Sequence, residues 1–176
     1  MVSERIHITG GSGSGTTTLG RALARALDVP HFDSDTYYWI PTVPPYRIKR
    51  DIPGRDARMA EDLTAHDGWI WSGSAVSWEG VPTERITACV LLTLPPDIRL
   101  ARLRKREIER GCDPAALEEF MAWAARYDEG GLDVRSRALQ EQWMSTLACP
   151  VLRLDGDLSV EARVDAVLDF VQTNRR

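Results

Sequence analysis

Short apolar runs separated by helical patterns predict an α/β fold in which helices cover a parallel sheet. Three observations carry that expectation. Five runs have strand length: Ile6–Ile8, His31–Phe32, Trp69–Trp71, Cys89–Leu94 and Val151–Leu154. Apolar residues recur at helical spacing between and after them, each set reading as one face. A chain of 176 residues is most simply one domain, large enough to bury a core without disulfides or metals.

In chain order, the β-prone run Arg5–Thr9 leads directly into Gly10-Gly11-Ser12-Gly13-Ser14-Gly15-Thr16-Thr17. The segment Thr18–Leu27 then carries Leu19, Leu23, Ala26 and Leu27 at helical spacing. A glycine-rich loop between strand and helix lets successive backbone N–H groups turn around a phosphate, and the helix adds its positive end. Gly10, Gly11, Ser12, Gly13, Ser14, Gly15, Thr16, Thr17 and Thr18 are therefore the expected nucleotide contacts. Thr17 stands where a hydroxyl normally ligates Mg²⁺. Thr16 stands where a lysine normally bridges the β- and γ-phosphates, so the cradle is kept while a charge used in phosphoryl transfer is lost.

Asp33-Ser34-Asp35 follows the second run, at the carboxyl edge of the sheet where the first strand delivers the loop. One carboxylate suits a Mg²⁺ site through water and the other a hydroxyl to be activated. The same residues suit a helix N-cap ahead of Thr36–Trp39. Ile40–Gly54, with Pro41, Pro44, Pro45 and Pro53, reads as an ordered irregular loop able to cover a substrate. The aromatic residues nearby, from Tyr37, Tyr38 and Trp39 to Trp69, Trp71 and Trp78, fit either a stacking pocket or core.

The stretch Pro96–Ala148 is far longer than one crossover helix needs, and a lid is expected within it. Its patterns are Leu100, Leu103 and Ile108; Leu117, Phe120, Met121 and Ala124; and Leu139, Trp143 and Leu147. Arg99, Arg102, Arg106 and Arg110 recur at helical spacing as one basic face, suited to phosphate or to salt bridges with Glu107 and Glu109. Val160, Val164, Val167, Leu168 and Val171 predict the last helix, with a frayed tail over Gln172–Arg176.

A net charge of −4 argues against a general nucleic-acid surface. The 3 cysteines lie far apart without a paired motif, as expected of a reducing cytoplasm. No apolar run approaches the length of a membrane span, and a strand starting almost at Met1 leaves no room for a signal peptide. His7, His31 and His66 form no metal cluster, and no protein partner is expected.

Taken with lysine excepted, the loop Gly10–Thr18 resembles that of the uridine kinase family, and Asp35-Thr36-Tyr37-Tyr38 is similar to its Asp-x-Phe-Tyr segment. Asp33-Ser34-Asp35 resembles the Asp-x-Asp of shikimate kinase, and the layout resembles the nucleoside monophosphate kinase fold. The resemblance implies a three-layer P-loop NTPase fold with a five-stranded parallel sheet and a helical lid insertion. It implies a single domain over 1–176, with an acceptor loop at about 36–55 and a lid at about 106–135. Both kinase comparisons place the hydroxyl-activating carboxylate at Asp35 and leave Thr17 and Asp33 for the metal. The Arg face resembles the Leu-x-x-Arg-x-x-x-Arg stretch leading into such lids, which selects Arg102 and Arg106 as a phosphoryl clamp. The turn Asp155-Gly156-Asp157 falls where that fold approaches the adenine. Ser72-Gly73 stands where adenylate kinases have Asp-Gly.

The expected function is ATP- and Mg²⁺-dependent transfer of the γ-phosphoryl group to a small-molecule acceptor such as a nucleoside, nucleotide or sugar-like hydroxyl compound. Thr16 and Ser72 keep a nucleotide-binding regulatory protein, or a slow nucleotide hydrolase, as the alternatives.

Overall fold

The computed structural model of the protein describes residues 3–174 apart from Pro44 and Ser77. Pro44 of the expected acceptor loop and Arg175 and Arg176 of the expected frayed tail lie outside the described residues. The chain runs β1 (Arg5–Gly10), α1 (Thr16–Leu27), β2 (His31–Asp33), α2 (Ser34–Tyr38), β3 (Trp39–Ile40), β4 (Ile48–Lys49), α3 (Ile52–Ala65) and β5 (Trp69–Ser72). After a 3₁₀ turn at Thr83–Arg85 come β6 (Ala88–Thr93), α4 (Pro96–Glu109), α5 (Pro114–Glu129), α6 (Arg137–Met144), β7 (Val151–Asp155) and α7 (Val160–Thr173).

The main sheet has five parallel strands in the order β2-β5-β1-β6-β7. Its central strand is the first in the chain. From β1 the chain crosses to one edge of the sheet, and from β6 to the other, so the crevice between their carboxyl ends is a topological switch point. The glycine loop leaves β1 at that crevice.

Ile6 and Ile8 of β1 face α1 and α7, where they bury with Leu19, Leu23, Ile70, Val90, Leu92 and Val167. The alternate residue His7 faces the other layer, its ring 4.5 Å from that of Trp71 and 5.3 Å from that of Trp143. Burial pushes the His7 pKa down to about 3, so the ring is neutral and structural, as its place in a strand suggested. Trp69 and Trp71 are fully buried beside Met59 and Leu63, which gives them to the core rather than to a stacking pocket. Trp69 Nε1 donates to the Leu63 carbonyl (3.1 Å) and Trp71 Nε1 to Ser34 Oγ (2.8 Å), satisfying both indoles.

Two expectations are corrected here. The irregular loop read over Ile40–Gly54 contains the two-residue antiparallel strands β3 and β4 and ends at Asp51, where α3 begins. Asp51 caps that helix by accepting from Gly54 N (2.8 Å), and Pro53 lies in the first turn, where its missing N–H costs nothing. Periodicity did not reveal α3 because its buried side includes Arg55 and Asp56 beside Met59 and Leu63. At the other end, α7 continues through Gln172 and Thr173, which were read as frayed.

Candidate active site

Backbone conformation accounts for the loop's composition. Gly13 and Gly15 have φ of 92° and 96°, a region that side chains rarely tolerate. A Cβ on Gly13 would lie 2.6 Å from the Arg99 carbonyl oxygen, and one on Gly11 2.7 Å from the Tyr127 ring. The loop is also gripped at alternate carbonyls by three elements of the far half of the chain. Gln140 Nε2 donates to Gly10 O (3.4 Å), Arg99 Nη1 to Ser12 O (2.9 Å) and Arg163 Nη1 to Ser14 O (3.0 Å).

Thr17, in the first turn of α1, reaches the neighbouring strand. Its Oγ1 donates to Asp33 Oδ2 (2.7 Å), while Asp33 Oδ1 accepts from Asp35 N (3.0 Å) and so caps α2. The capping and metal-side readings of Asp33 are therefore compatible, because each uses a different oxygen. Among the described residues no group of three or more His, Cys, Asp or Glu side chains could hold a metal. Mg²⁺ needs no such cage: it takes one or two protein oxygens and completes its shell with water and phosphate, chemistry that the Thr17 hydroxyl and Asp33 carboxylate fit.

Asp35 lies in the first turn of α2, two residues beyond the cap. Burial, and then the Asp33 carboxylate, raise its pKa above the ordinary aspartate value, opposed by Arg135, Arg106 and Arg110. Those three arginines come from the end of α4 and from the segment before α6. Arg106 and Arg110 both pair with Glu107, at 2.7 and 3.1 Å. Arg135 makes no hydrogen bond or ion pair among the described residues, and its Nε is buried without a partner. Nearby in and after α5, Arg126 and Arg137 are exposed, while Arg135 turns inward.

The basic face expected along α4 divides. Arg99 is 1% exposed and paired with Asp128 (2.5 Å). Arg102 forms two bonds to Asp157, at 2.6 and 2.8 Å, in the turn after β7. Only Arg106 and Arg110 act on Asp35.

Around the β3–β4 hairpin, Tyr38 lies 4.9 Å from Trp39, and Trp39 lies 5.9 Å from Tyr46. Lys49 sits 5.8 Å from the Tyr38 ring, and Arg110 lies over Tyr46. Tyr37 instead is buried and donates to Asp62 (2.5 Å). Ser72, at the end of β5, shares a hydrogen bond with His31 Nε2 (2.8 Å).

With this geometry in place, comparison with known proteins gives the chain its relatives. No family model matches it. It is 42% identical to the uncharacterized protein YqaC of Bacillus subtilis (strain 168), across 98% of this chain and 100% of that protein. The chain belongs to the YqaC family. This YqaC-family chain is also 27% identical to a shikimate kinase of Bacteroides thetaiotaomicron over 79% of its length and 90% of that enzyme's. A solved shikimate kinase from Acinetobacter baumannii, in complex with shikimate, superposes with a TM-score of 0.60 at 17% identity, covering 98% and 95% of the two chains. That likeness shows the fold: the five-stranded parallel sheet and its covering helices are arranged as in P-loop kinases.

Spacing put Arg99 on a basic face without showing that it turns inward behind the loop, and it did not single out Arg163, although a signal was there. Arg163 lies three residues after Val160 and four before Val167, and Arg99 four before Leu103, so each puts a charge into an apolar stripe. Both were open to reading as solvated residues. Their burial depends on what packs over them.

Proposed function

We propose that the protein is an ATP-dependent phosphotransferase that moves the γ-phosphoryl group to a hydroxyl on a small-molecule acceptor. The observation that carries this reading is the Thr17–Asp33 hydrogen bond of 2.7 Å, which joins the first turn of α1, behind the phosphate loop, to the end of β2, two residues before Asp35. It brings the phosphate cradle and an unengaged carboxylate to one sheet edge, the arrangement that phosphoryl transfer to a hydroxyl requires. The relatedness to shikimate kinases supports the same class of reaction.

In this reading Gly10–Thr18 hold the ATP phosphates, and Thr17 with Asp33 hold Mg²⁺, which offsets phosphate charge. Asp35 orients the acceptor hydroxyl and takes its proton as the bond to phosphorus forms. Its raised pKa moves it toward the range useful for a general base. Arg106, beside Arg110 and Arg135, closes over the transferring group. Arg102 would join it only by giving up Asp157. The acceptor loop is residues 36–55 and the lid residues 106–135; closing them keeps water, a competing acceptor, away from the phosphoryl group.

Thr16 and Ser72 favour a second reading, nucleotide binding without transfer, because each removes a charge that the fold ordinarily uses. Phosphorus NMR of the protein with Mg-ATP and pooled nucleosides, nucleotides, sugars, sugar acids and shikimate separates the two. A new phosphoester resonance is expected, and splitting the pool names the acceptor. Intact ATP in every pool, with resonances broadened by binding, would establish the second reading.

A further inference from the structure

The loop's missing lysine has a counterpart behind the loop rather than in front of it. Arg163 is 4% exposed, and its guanidinium donates to Ser14 O (3.0 Å) and to Gly156 O (3.1 Å). Its Nε is buried without a partner, and no carboxylate pairs with it among the described residues, since Asp157 is bonded to Arg102. Arg99, from α4, likewise donates to Ser12 O at 2.9 Å, but its charge is paired with Asp128.

The carbonyls they hold are not arbitrary. Ser12 O shares a peptide unit with Gly13 N–H, and Ser14 O with Gly15 N–H. Those two N–H groups have no acceptor among the described residues. A trans peptide points its N–H opposite to its C=O, so carbonyls turned toward the buried arginines turn these donors toward the open side of the loop. A cation bonded to the carbonyl also draws electron density from the peptide and strengthens its N–H as a donor. The Arg163 charge, unpaired among the described residues, sits in low-dielectric surroundings, where its attraction for an anion on the far side of the loop is screened less than at the surface.

We infer that Arg99 and Arg163 are positioning residues that compensate for Thr16, aiming and polarising the Ser12–Gly13 and Ser14–Gly15 peptides toward a polyphosphate anion. The inference rests on the phosphate-loop part of the proposed function and needs no transfer step. Removing Arg163 should weaken the loop's affinity for anions, and a lysine at position 16 should make that loss good.

The test is calorimetric titration with inorganic triphosphate, and with ATP in parallel, on the wild type, Arg163→Gln, Thr16→Lys and the double variant. Arg163→Gln is expected to bind roughly tenfold more weakly, the size of one screened charge contact. Thr16→Lys is expected to restore that loss in the double variant while adding less to the wild type. Equal gains from Thr16→Lys in both backgrounds, or full affinity in Arg163→Gln, would overturn the inference and leave the proposed function standing. A wild type that binds neither ligand would overturn both. If Arg163→Gln does not fold, Arg163→Lys serves: its shortened reach should shift the Gly15 amide proton upfield while Gly13 stays, and an unmoved Gly15 would refute the idea.

Discussion

The two sides of the crevice are built differently. On the phosphate side, every second carbonyl from Gly10 to Ser14 is held by a side chain from α4, α6 or α7, and Tyr127 lies against Gly11. On the acceptor side, the hairpin of β3 and β4 pairs through only Trp39↔Lys49 and Ile40↔Ile48, and Ile40, Val43, Tyr46 and Ile48 are exposed. A triphosphate presents the same shape whatever the acceptor, so its cradle can be rigid. The acceptor side has aromatic and cationic side chains on a slender support, where substitutions can change what is recognised without disturbing the sheet.

The largest effect expected from breaking this division is at its seam. Asp35→Asn should lower phosphotransfer by about 10²–10⁴-fold, leave ATP affinity unchanged, and raise stability near neutral pH. The sign follows from the raised pKa. A carboxyl whose folded value exceeds its unfolded one contributes stability at low pH that is lost as pH rises through the folded value, and asparagine does not ionise. Turnover assays, calorimetry and thermal melts check the three parts, and an unchanged turnover removes Asp35 from the chemistry. The wild-type transfer rate should correspondingly fall on acidification with an inflection above the ordinary aspartate range, absent from a pH profile of ATP binding alone.

Gly13→Ala tests the rigid side. Its Cβ would lie 2.6 Å from a backbone oxygen at a φ of 92°, so destabilisation of about 1–3 kcal/mol is expected in denaturant titrations. Arg102→Ala removes a pair whose side chains are 46% and 43% exposed, and should cost no more than about 1 kcal/mol of stability. If Arg102 also clamps phosphoryl, turnover will fall further than that, which kinetics alongside melts would show. Ile48→Ser on the hairpin should change stability by less than about 0.5 kcal/mol, and any effect should appear in the acceptor KM.

Much of this was legible in the sequence, for identifiable reasons. The loop, its strand and its helix are contiguous, so Gly10–Leu27 declares itself locally. β5 and β6 stood out because burial on both faces makes them continuous apolar runs. Asp33 and Asp35 were found through their distance from the end of β2. The short strands β3 and β4 lack the length to show a period, and α3 hides its apolar face behind Arg55 and Asp56. Regular spacing put Arg99, Arg102, Arg106 and Arg110 on one face, yet spacing carries no information about the partner. Asp128 and Ser12 take Arg99 inward, Asp157 takes Arg102 toward the turn after β7, and Asp35 draws on Arg106 and Arg110.

The contact between Arg163 and Ser14 joins residues 149 positions apart. During synthesis, at about 5–20 residues per second, roughly 7–30 s separate their appearance. The phosphate loop is thus made well before the helix that braces it. A chain truncated before α7 would carry the whole glycine motif without this brace, so on the inference drawn above its affinity for triphosphate would report whether α7 has docked.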